Sequence, residues 1–220
     1  MDGTEEFTTQ RSTVEEWTRA LAESTGSPGG GAGTGVMLAI AASLASMVAG
    51  YTETVGPGQG ELARVRARAR SLRQDALRLA DRDASASRAF GAAFRLEPGP
   101  EREAAISRAS LDAARASAVL GRWAIVAVGD LAWLAAHGNR ALVADVAVAF
   151  GALRAAVAGA RTNVSFDLAA LTSSGSTLEQ VREGHPDLWA VVDELNGAVD
   201  RIDRLTAQLD HRAAPTQASG

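Results

Sequence analysis

A single carboxylate interrupts the apolar stripe of a long amphipathic segment. Between residues 62 and 94, apolar side chains recur every three or four positions, the spacing of one helix face. The stripe consists of Leu62, Val65, Ala69, Leu72, Ala76, Leu79, Ala86, Phe90 and Phe94, and Asp83 falls on it. A carboxylate buried in a helix seam has a raised pKa or a dedicated partner, and either suits a general acid or base. Alternatively, the helix turns outward there and Asp83 faces water beside Arg82 and Arg88.

A second acid, Asp145, lies inside another apolar segment, from about residue 141 to 171. Asn163 follows on the same helix face, but about 27 Å further along the axis. The two side chains therefore cannot share one site within one subunit unless the helix breaks. Asn163 and Asp167 are one turn apart and could share a site.

A glycine-rich stretch, residues 27–35, leads into an apolar segment at 36–49. We expect a loop from residue 24 to 35, whose glycines (Gly29, Gly30 and Gly31) expose backbone N–H groups beside a helix N-terminus. Such a loop suits an anion, a carbonyl or a ring nitrogen. Because no GxGxxG register fits and no strand precedes it, a Rossmann site is excluded. A flexible linker between helices is the alternative.

Composition excludes several kinds of chemistry. The chain has no cysteine, which excludes disulfides, thiolate nucleophiles and cysteine-type zinc sites. Its three histidines, His137, His185 and His211, lack metal-site spacing, so we expect no metal. Every basic residue is arginine, which excludes a lysine Schiff base and a P-loop.

Charge and hydropathy bear on partners and location. The formal net charge is −4, and the arginines are interleaved with acids, which argues against nucleic-acid binding. The apolar segment 36–49 is short for a membrane span of about 20 residues. The N-terminus is acidic and polar, unlike a signal or transit peptide. We expect a cytoplasmic protein with a small-molecule substrate, bound to neither nucleic acid nor membrane.

The elements that must position these residues are helices. Helix-favouring residues dominate, and no alternating β-branched run appears. We expect an all-α, single-domain bundle of five or six long helices. Residues 1–12 are predicted to be a flexible N-terminus, 13–210 the helical domain, and 211–220 a disordered tail.

Several motifs, in order along the chain, resemble those of the formiminotetrahydrofolate cyclodeaminase and methenyltetrahydrofolate cyclohydrolase family. The family's PGGGS…MVA opening is similar to Pro28-Gly29-Gly30-Gly31 and Ser46-Met47-Val48-Ala49. Its DxDA…F-[KR]-L segment is similar to Asp81-Arg82-Asp83-Ala84 and Phe94-Arg95-Leu96. Its GN…SDxG…GA…NV.INL segment is similar to Gly138-Asn139, Asp145-Val146, Gly159-Ala160, Asn163-Val164 and Leu168. The resemblance covers residues from about 14 to 210.

The resemblance implies an intertwined, all-helical homodimer that acts on a tetrahydrofolate derivative without a metal. Members of the family expel ammonia from 5-formiminotetrahydrofolate or hydrate the 5,10-methenyl bridge. Carried over, Asp83 is the general acid/base and Asp145 a second candidate catalytic acid. The implied substrate-binding residues are Gly29, Gly30, Gly31, Asn139, Asn163 and Asp167.

Four departures from the family's motifs keep other functions open. Ala32 and Ala144 stand where the family has serine, Asp167 where it has asparagine, and Ser87 where it has an aromatic residue. One alternative is the same scaffold used as a tailoring or cyclising enzyme on a non-folate substrate in secondary metabolism. The other is a helical dimer without catalytic activity.

Overall fold

The computed structural model describes residues 7–24, 26–56, 58–174 and 177–213. Within these ranges the chain forms seven α-helices and two short 3-10 helices with no strand, which confirms the all-α prediction. The α-helices are α1 (Val14–Ala22), α2 (Gly30–Gly50), α3 (Gly58–Phe94), α4 (Pro100–His137), α5 (Val143–Ala170), α6 (Leu178–Gly184) and α7 (Pro186–Ala213). The 3-10 helices are Arg140–Leu142 and Leu171–Ser174. Five helices are long, as expected.

Local capping residues and prolines set several helix boundaries. The Thr13 hydroxyl accepts from the Glu16 N–H at 3.2 Å, and the Glu16 carboxylate accepts from the Thr13 N–H at 2.8 Å. These reciprocal bonds form a capping box that starts α1. Helices α4 and α7 begin at Pro100 and Pro186, because proline is favourable in the first turn, where its missing N–H costs nothing.

The terminal segments are described only in part. Residues 1–6 and 214–220, which belong to the predicted flexible N-terminus and disordered tail, lie outside the described residues. Within the predicted N-terminus, the Thr9 N–H donates to the Asp81 carboxylate at 2.6 Å, and the Trp17 indole donates to the Thr9 hydroxyl at 3.1 Å. Residues 7–12 therefore lie along the outer side of α3.

Helix α2 begins at Gly30, so the predicted loop from residue 24 to 35 is already helical in its second half. The reason is helix packing. A Cβ atom at Gly35 would lie 2.8 Å from the Ala80 Cβ and 2.9 Å from the Ala76 carbonyl oxygen. The glycines therefore let α3 approach the α2 backbone closely, and between Gly29 and Gly35 none has a positive φ.

The core lies around α2, which packs against α3 on one side and α5 on another. Helix α4 contacts α3 and α5, and α7 covers α4 and α5. A charged contact joins α3 to α4: Asp130, 8% exposed, accepts from the Arg68 guanidinium at 2.6 and 3.0 Å. Glu61 also accepts from Arg68, at 2.9 Å, so the buried carboxylate has a fixed cation.

Helix α2 is not covered on all sides within one chain. Ile40 is 47% exposed and Met47 is 38% exposed on the same face. On α5, Val148 and Phe166 are 61% and 74% exposed. Helix α2 carries no charged residue. We call these four exposed apolar residues, on two helices that pack together, the α2/α5 face.

Three helical stretches are long and apolar enough to cross a membrane by length and composition alone. They are Gly30–Gly50, Pro100–His137 and Arg140–Ala170. Within the most apolar part of each stretch, 56%, 50% and 33% of the residues are buried inside the bundle. The expectation that the protein does not bind a membrane stays a prediction.

Candidate active site

The Asp83 side chain points inward from α3 onto the N-terminal turn of α2. A Cβ atom at Gly31 would lie 2.5 Å from Asp83 Oδ2 and closer still to Oδ1 and Cγ. The carboxyl group therefore occupies the space that any other residue at position 31 would fill. The outward-facing alternative does not hold, because Asp83 is half-buried here while its neighbour Arg82 is exposed.

The surroundings of Asp83 oppose its ionisation overall. Burial raises the pKa of the carboxyl, while hydrogen bonds from the Ala32 backbone N–H and the Ser87 hydroxyl act in the opposite direction. Its Oδ2 atom is buried without a hydrogen-bond partner among the described residues. A carboxyl group with a raised pKa and a free oxygen can accept or donate a proton near neutral pH.

Ser87 is a residue whose role could not be assigned from the sequence. It lies four positions after Asp83 on α3 and therefore on the same helix face. In the sequence it was notable only as a departure from the family's aromatic residue, whereas the structure makes its hydroxyl a donor to the Asp83 carboxylate. The i, i+4 spacing was the available signal.

Asp167 of α5 is the second carboxyl of the site. Burial and, to a smaller extent, the negative charge of Asp83 together raise its pKa to about 7. Asp83 and Asp167 are 84 positions apart in the sequence. They interact because α3 and α5 both pack against α2.

The register of the helices places both acids at one end of α2. Opposite Thr34 of α2 lies Gly159 of α5, where a Cβ atom would be 3.2 Å from the Thr34 Cγ2. Since α5 runs antiparallel to α2, Asn163 is level with the first turn of α2, and Asp167 lies about one turn beyond it. The structure thus brings Gly29, Gly30, Gly31, Asp83, Asn163 and Asp167 to the same end of the bundle.

Asn139 and Asp145 lie at the opposite end. The Asn139 side chain donates to the Tyr51 carbonyl oxygen at 3.0 Å, just after the last residue of α2. Helix α5 is unbroken from Val143 to Ala170, so Asp145 is about 33 Å from Asp167 along its axis. One chain therefore does not combine Asp145 with Asp83 in a single site.

The two polar residues at this far end have structural contacts. Asn139 caps the 3-10 helix by accepting from the Ala141 N–H at 3.0 Å, and its own N–H donates to the Thr52 hydroxyl at 3.1 Å. Asp145 is half-buried in the first turn of α5, where the helix dipole favours a carboxylate.

A wide groove lies away from the two acids. It has a volume of about 840 Å³, and its lining includes Thr52, Arg66 and Arg70. A groove of about 680 Å³ lies closer to Asp83, along the outer side of α3 at Asp81 and Ala84. We place the candidate site at Asp83 rather than in the 840 Å³ groove, because proton transfer depends on a perturbed titratable group and not on groove volume.

No group of three histidine, aspartate or glutamate side chains is placed to hold a metal ion in the part of the chain that the structure describes. The expectation of a metal-free site stays a prediction. Asp83 and Asp167 are a pair of carboxyl groups, and their arrangement suits proton transfer rather than a closed metal site.

Comparisons with known proteins agree with this geometry. The formiminotransferase-cyclodeaminase family model matches residues 13–183. A crystal structure of formiminotetrahydrofolate cyclodeaminase from Thermotoga maritima superposes with a TM-score of 0.79 at 23% sequence identity, covering 93% of this chain and 99% of that one. That likeness shows the fold. No match was found among curated proteins. Because the family model spans well over half of the sequence, this chain belongs to the formiminotransferase-cyclodeaminase family.

Proposed function

We propose that this protein is an enzyme that acts on a C–N bond of a tetrahydrofolate derivative, with Asp83 as general acid/base. The observation that carries the proposal is the position of the Asp83 carboxyl, which is buried over Gly31 with a raised pKa and an unpartnered Oδ2. Family membership supports a folate-related substrate. The reaction is either cyclodeamination or hydration of a 5,10-methenyl bridge.

Both reactions require proton transfer, to a departing nitrogen or from an attacking water molecule. When ammonia is expelled, the departing nitrogen must gain a proton. When water attacks the methenyl carbon, the water must lose a proton. A carboxyl with a raised pKa can serve both steps and contributes about 10²–10⁴-fold to the rate. The pKa of Asp83 is shifted in the direction that this role needs.

The N-terminal turn of α2 supplies the binding surface in this proposal. Backbone N–H groups in the first turn of a helix have no intrahelical partner, so those of Gly30 and Gly31 can donate to a pterin carbonyl or ring nitrogen. Asn163 and Asp167 would complete this surface from α5. Asn139 and Asp145, at the far end, would brace the helices rather than touch the same substrate molecule.

We further propose a homodimer in the cytoplasm, bound to neither nucleic acid nor membrane. Support for the dimer comes from the α2/α5 face, where Ile40, Met47, Val148 and Phe166 expose apolar side chains. Apolar patches of this kind are typical of interfaces. A second copy would cover the part of α2 that remains exposed in one chain.

Isothermal titration calorimetry with 5-formimino- and 5,10-methenyltetrahydrofolate tests the substrate class. We expect saturable binding of at least one of them. A flat titration with both would contradict the folate proposal and favour a non-folate substrate on the same scaffold. The second alternative, a dimer without catalysis, requires that no turnover accompanies binding.

Substitution of Asp83 tests the mechanism. Asp83→Asn should leave the protein folded, because the amide is nearly isosteric and avoids burial of a charge. Turnover should fall by at least about 100-fold, while substrate affinity stays within a few-fold. Asp81→Asn is the matched control, since Asp81 lies two residues away on α3 and accepts from Thr9 and Gln10 on the outer side.

Two outcomes would contradict the assignment. If Asp83→Asn lost stability but kept full activity, the carboxylate would be structural. If Asp81→Asn lost as much activity as Asp83→Asn, the effect would belong to α3 as a whole. Asp145→Asn should change stability more than turnover, because a carboxylate in the first turn of α5 interacts favourably with the helix dipole.

A further inference from the structure

Two carboxyl groups, not one, lie at the N-terminal end of α2. Asp83 reaches this end from α3 and contacts the backbone at Gly31. Asp167 lies on α5 about two turns after Gly159, which packs against Thr34 of α2. Both side chains are half-buried. A polar contact from Asp167 to the substrate is the simplest role for this residue, but its position beside Asp83 allows a larger one.

We propose that Asp167 is a second proton-transfer residue, and that Asp83 and Asp167 act as a pair that holds one proton between them near neutral pH. This inference rests on the proposed function, because it describes the same site in more detail. It differs from a mechanism with a single acid/base, in which Asp167 would only bind substrate.

Electrostatics favours a single shared proton over two charges. Two ionised carboxylates at one partly buried site repel each other, so the loss of the first proton raises the pKa of the remaining acid. Burial raises the pKa of Asp167 most, and the negative charge of Asp83 acts in the same direction. The pair therefore carries about one negative charge over the pH range in which one carboxyl is protonated.

Charged side chains on the helices around this end of α2 have contacts of their own among the described residues. Helix α2 contributes none, as it has no charged residue. On α3, Arg88 donates to the Ser85 hydroxyl at 2.9 Å and to the Ser27 hydroxyl at 3.3 Å. On α5, Arg161 donates to the Asn196 side chain at 3.2 Å. On α4, Arg115 and Asp112 form an exposed ion pair at 3.5 Å.

A pair with one proton can perform both proton transfers of C–N exchange. The ionised carboxyl takes a proton from the incoming nitrogen or water as the new bond to carbon forms. The protonated carboxyl gives its proton to the departing nitrogen, which leaves with the electron pair of the broken C–N bond. The pair ends with one proton, as it began, but on the other residue.

Carbon-13 NMR of protein labelled at the aspartate carboxyl carbons tests the pair without substrate. Wild type, Asp83→Asn, Asp167→Asn and the control Asp81→Asn are titrated, and each substitution identifies its own resonance by removing it. In wild type, Asp167 should titrate near its expected pKa of about 7. In Asp83→Asn its midpoint should fall by at least about one pH unit, because the neighbouring charge is gone. In Asp81→Asn it should not move.

Two results would overturn the pair. One is an Asp167 midpoint in the ordinary range of aspartate in wild type. The other is a midpoint that Asp83→Asn leaves unchanged. If Asp167→Asn does not fold, the comparison of wild type with Asp83→Asn still tests the pair, because the coupling is measured as the shift of the Asp167 midpoint.

Kinetics separate the pair from the proposed function. Asp167→Asn should lower kcat by at least about 10-fold and remove one limb of the pH–rate profile, while KM changes by a few-fold. A residue that only binds substrate would raise KM and leave the pH profile unchanged, which would overturn the inference. If no folate is bound but the NMR coupling is present, the folate proposal fails and the pair stands. If folate is turned over without coupling, the pair fails and the proposed function stands.

Discussion

A methyl group at position 31 should disrupt the candidate site directly. The Cβ atom of Gly31→Ala would overlap the Asp83 carboxyl, lying 2.5 Å from Oδ2 and closer to the other two carboxyl-group atoms. Either the Asp83 side chain must rotate out of its position or α2 and α3 must move apart. Overpacking of this kind costs about 1–3 kcal/mol of unfolding free energy.

Gly30→Ala is the matched control for stability. Gly30 is exposed, lies in the same first turn, and has no atom within 4 Å of the position that its Cβ would take. Alanine should therefore be neutral or stabilising there, by up to about 1 kcal/mol from helix propensity. The two variants should differ by about 2 kcal/mol, which corresponds to about 4–8 °C in Tm for a chain of this length. Thermal unfolding followed by circular dichroism measures the difference.

A double-mutant cycle identifies the contact responsible. Asp83→Ala removes all three carboxyl-group atoms that the new Cβ would meet. On that background Gly31→Ala should lose at least about 1 kcal/mol of its cost, because neighbouring substitutions in direct contact are not additive. If Gly31→Ala is as stable as Gly30→Ala, or if its cost is the same with Asp83→Ala, then Asp83 does not lie over Gly31 and the site described above is wrong.

Two further predictions concern stability and assembly. The unfolding free energy should decrease as pH rises from the unfolded pKa of 3.8 towards about 7, because the raised pKa of Asp167 lets the folded state keep a proton that the unfolded chain has lost. Urea unfolding at about pH 5 and about pH 8 measures the slope, which Asp167→Asn should flatten, and a wild-type slope of the opposite sign would contradict the raised pKa. Ile40→Glu should convert the proposed dimer to monomer, since it places a charge on the α2/α5 face. Analytical ultracentrifugation measures the mass, and a wild-type monomer at micromolar concentration would refute the dimer.

The helices were predictable because their signals are local. Apolar spacing of three and four residues identified α3, and the proline and glycine breaks near residues 56–58, 97–100 and 185–186 marked its ends and the start of α7. The capping box at Thr13 fixed the start of α1. A second capping box, formed by Thr177 and Gln180, starts the short helix α6.

The predicted start of α2 was wrong because glycine occurs both in flexible loops and at close helix contacts. In a single sequence, consecutive glycines indicate a flexible loop, since each lowers helix propensity by about 1 kcal/mol relative to alanine. Here Gly31 and Gly35 belong to a helix that packs closely on α3, where the Asp83 carboxyl and the Ala80 side chain occupy the space that their Cβ atoms would take. That reason is tertiary, so no local pattern could reveal it.

Asp83 was recognisable from the sequence because its helix face is apolar, but its relation to Asp167 was not. The pair depends on the packing of α3 and α5 against α2, which brings together residues 84 positions apart in the chain. Asp130 also shows that an acid on an apolar helix face does not by itself identify a functional site. It is more buried than Asp83, yet Arg68 pairs with it, so its position on an apolar face indicates structure and not chemistry.

The contrast between Asp130 and Asp83 is the strongest physical argument for a functional site at α2. Both carboxylates lose solvation on folding, which costs stability unless a partner offsets the loss. Asp130 has a cation at 2.6 Å. Asp83 has two neutral donors and an Oδ2 atom that none of the described residues satisfies, and the burial raises its pKa rather than being offset. A buried, incompletely hydrogen-bonded carboxyl packed over a glycine lowers the stability of the fold. Acids with perturbed pKa values in such surroundings are typical of sites of proton transfer.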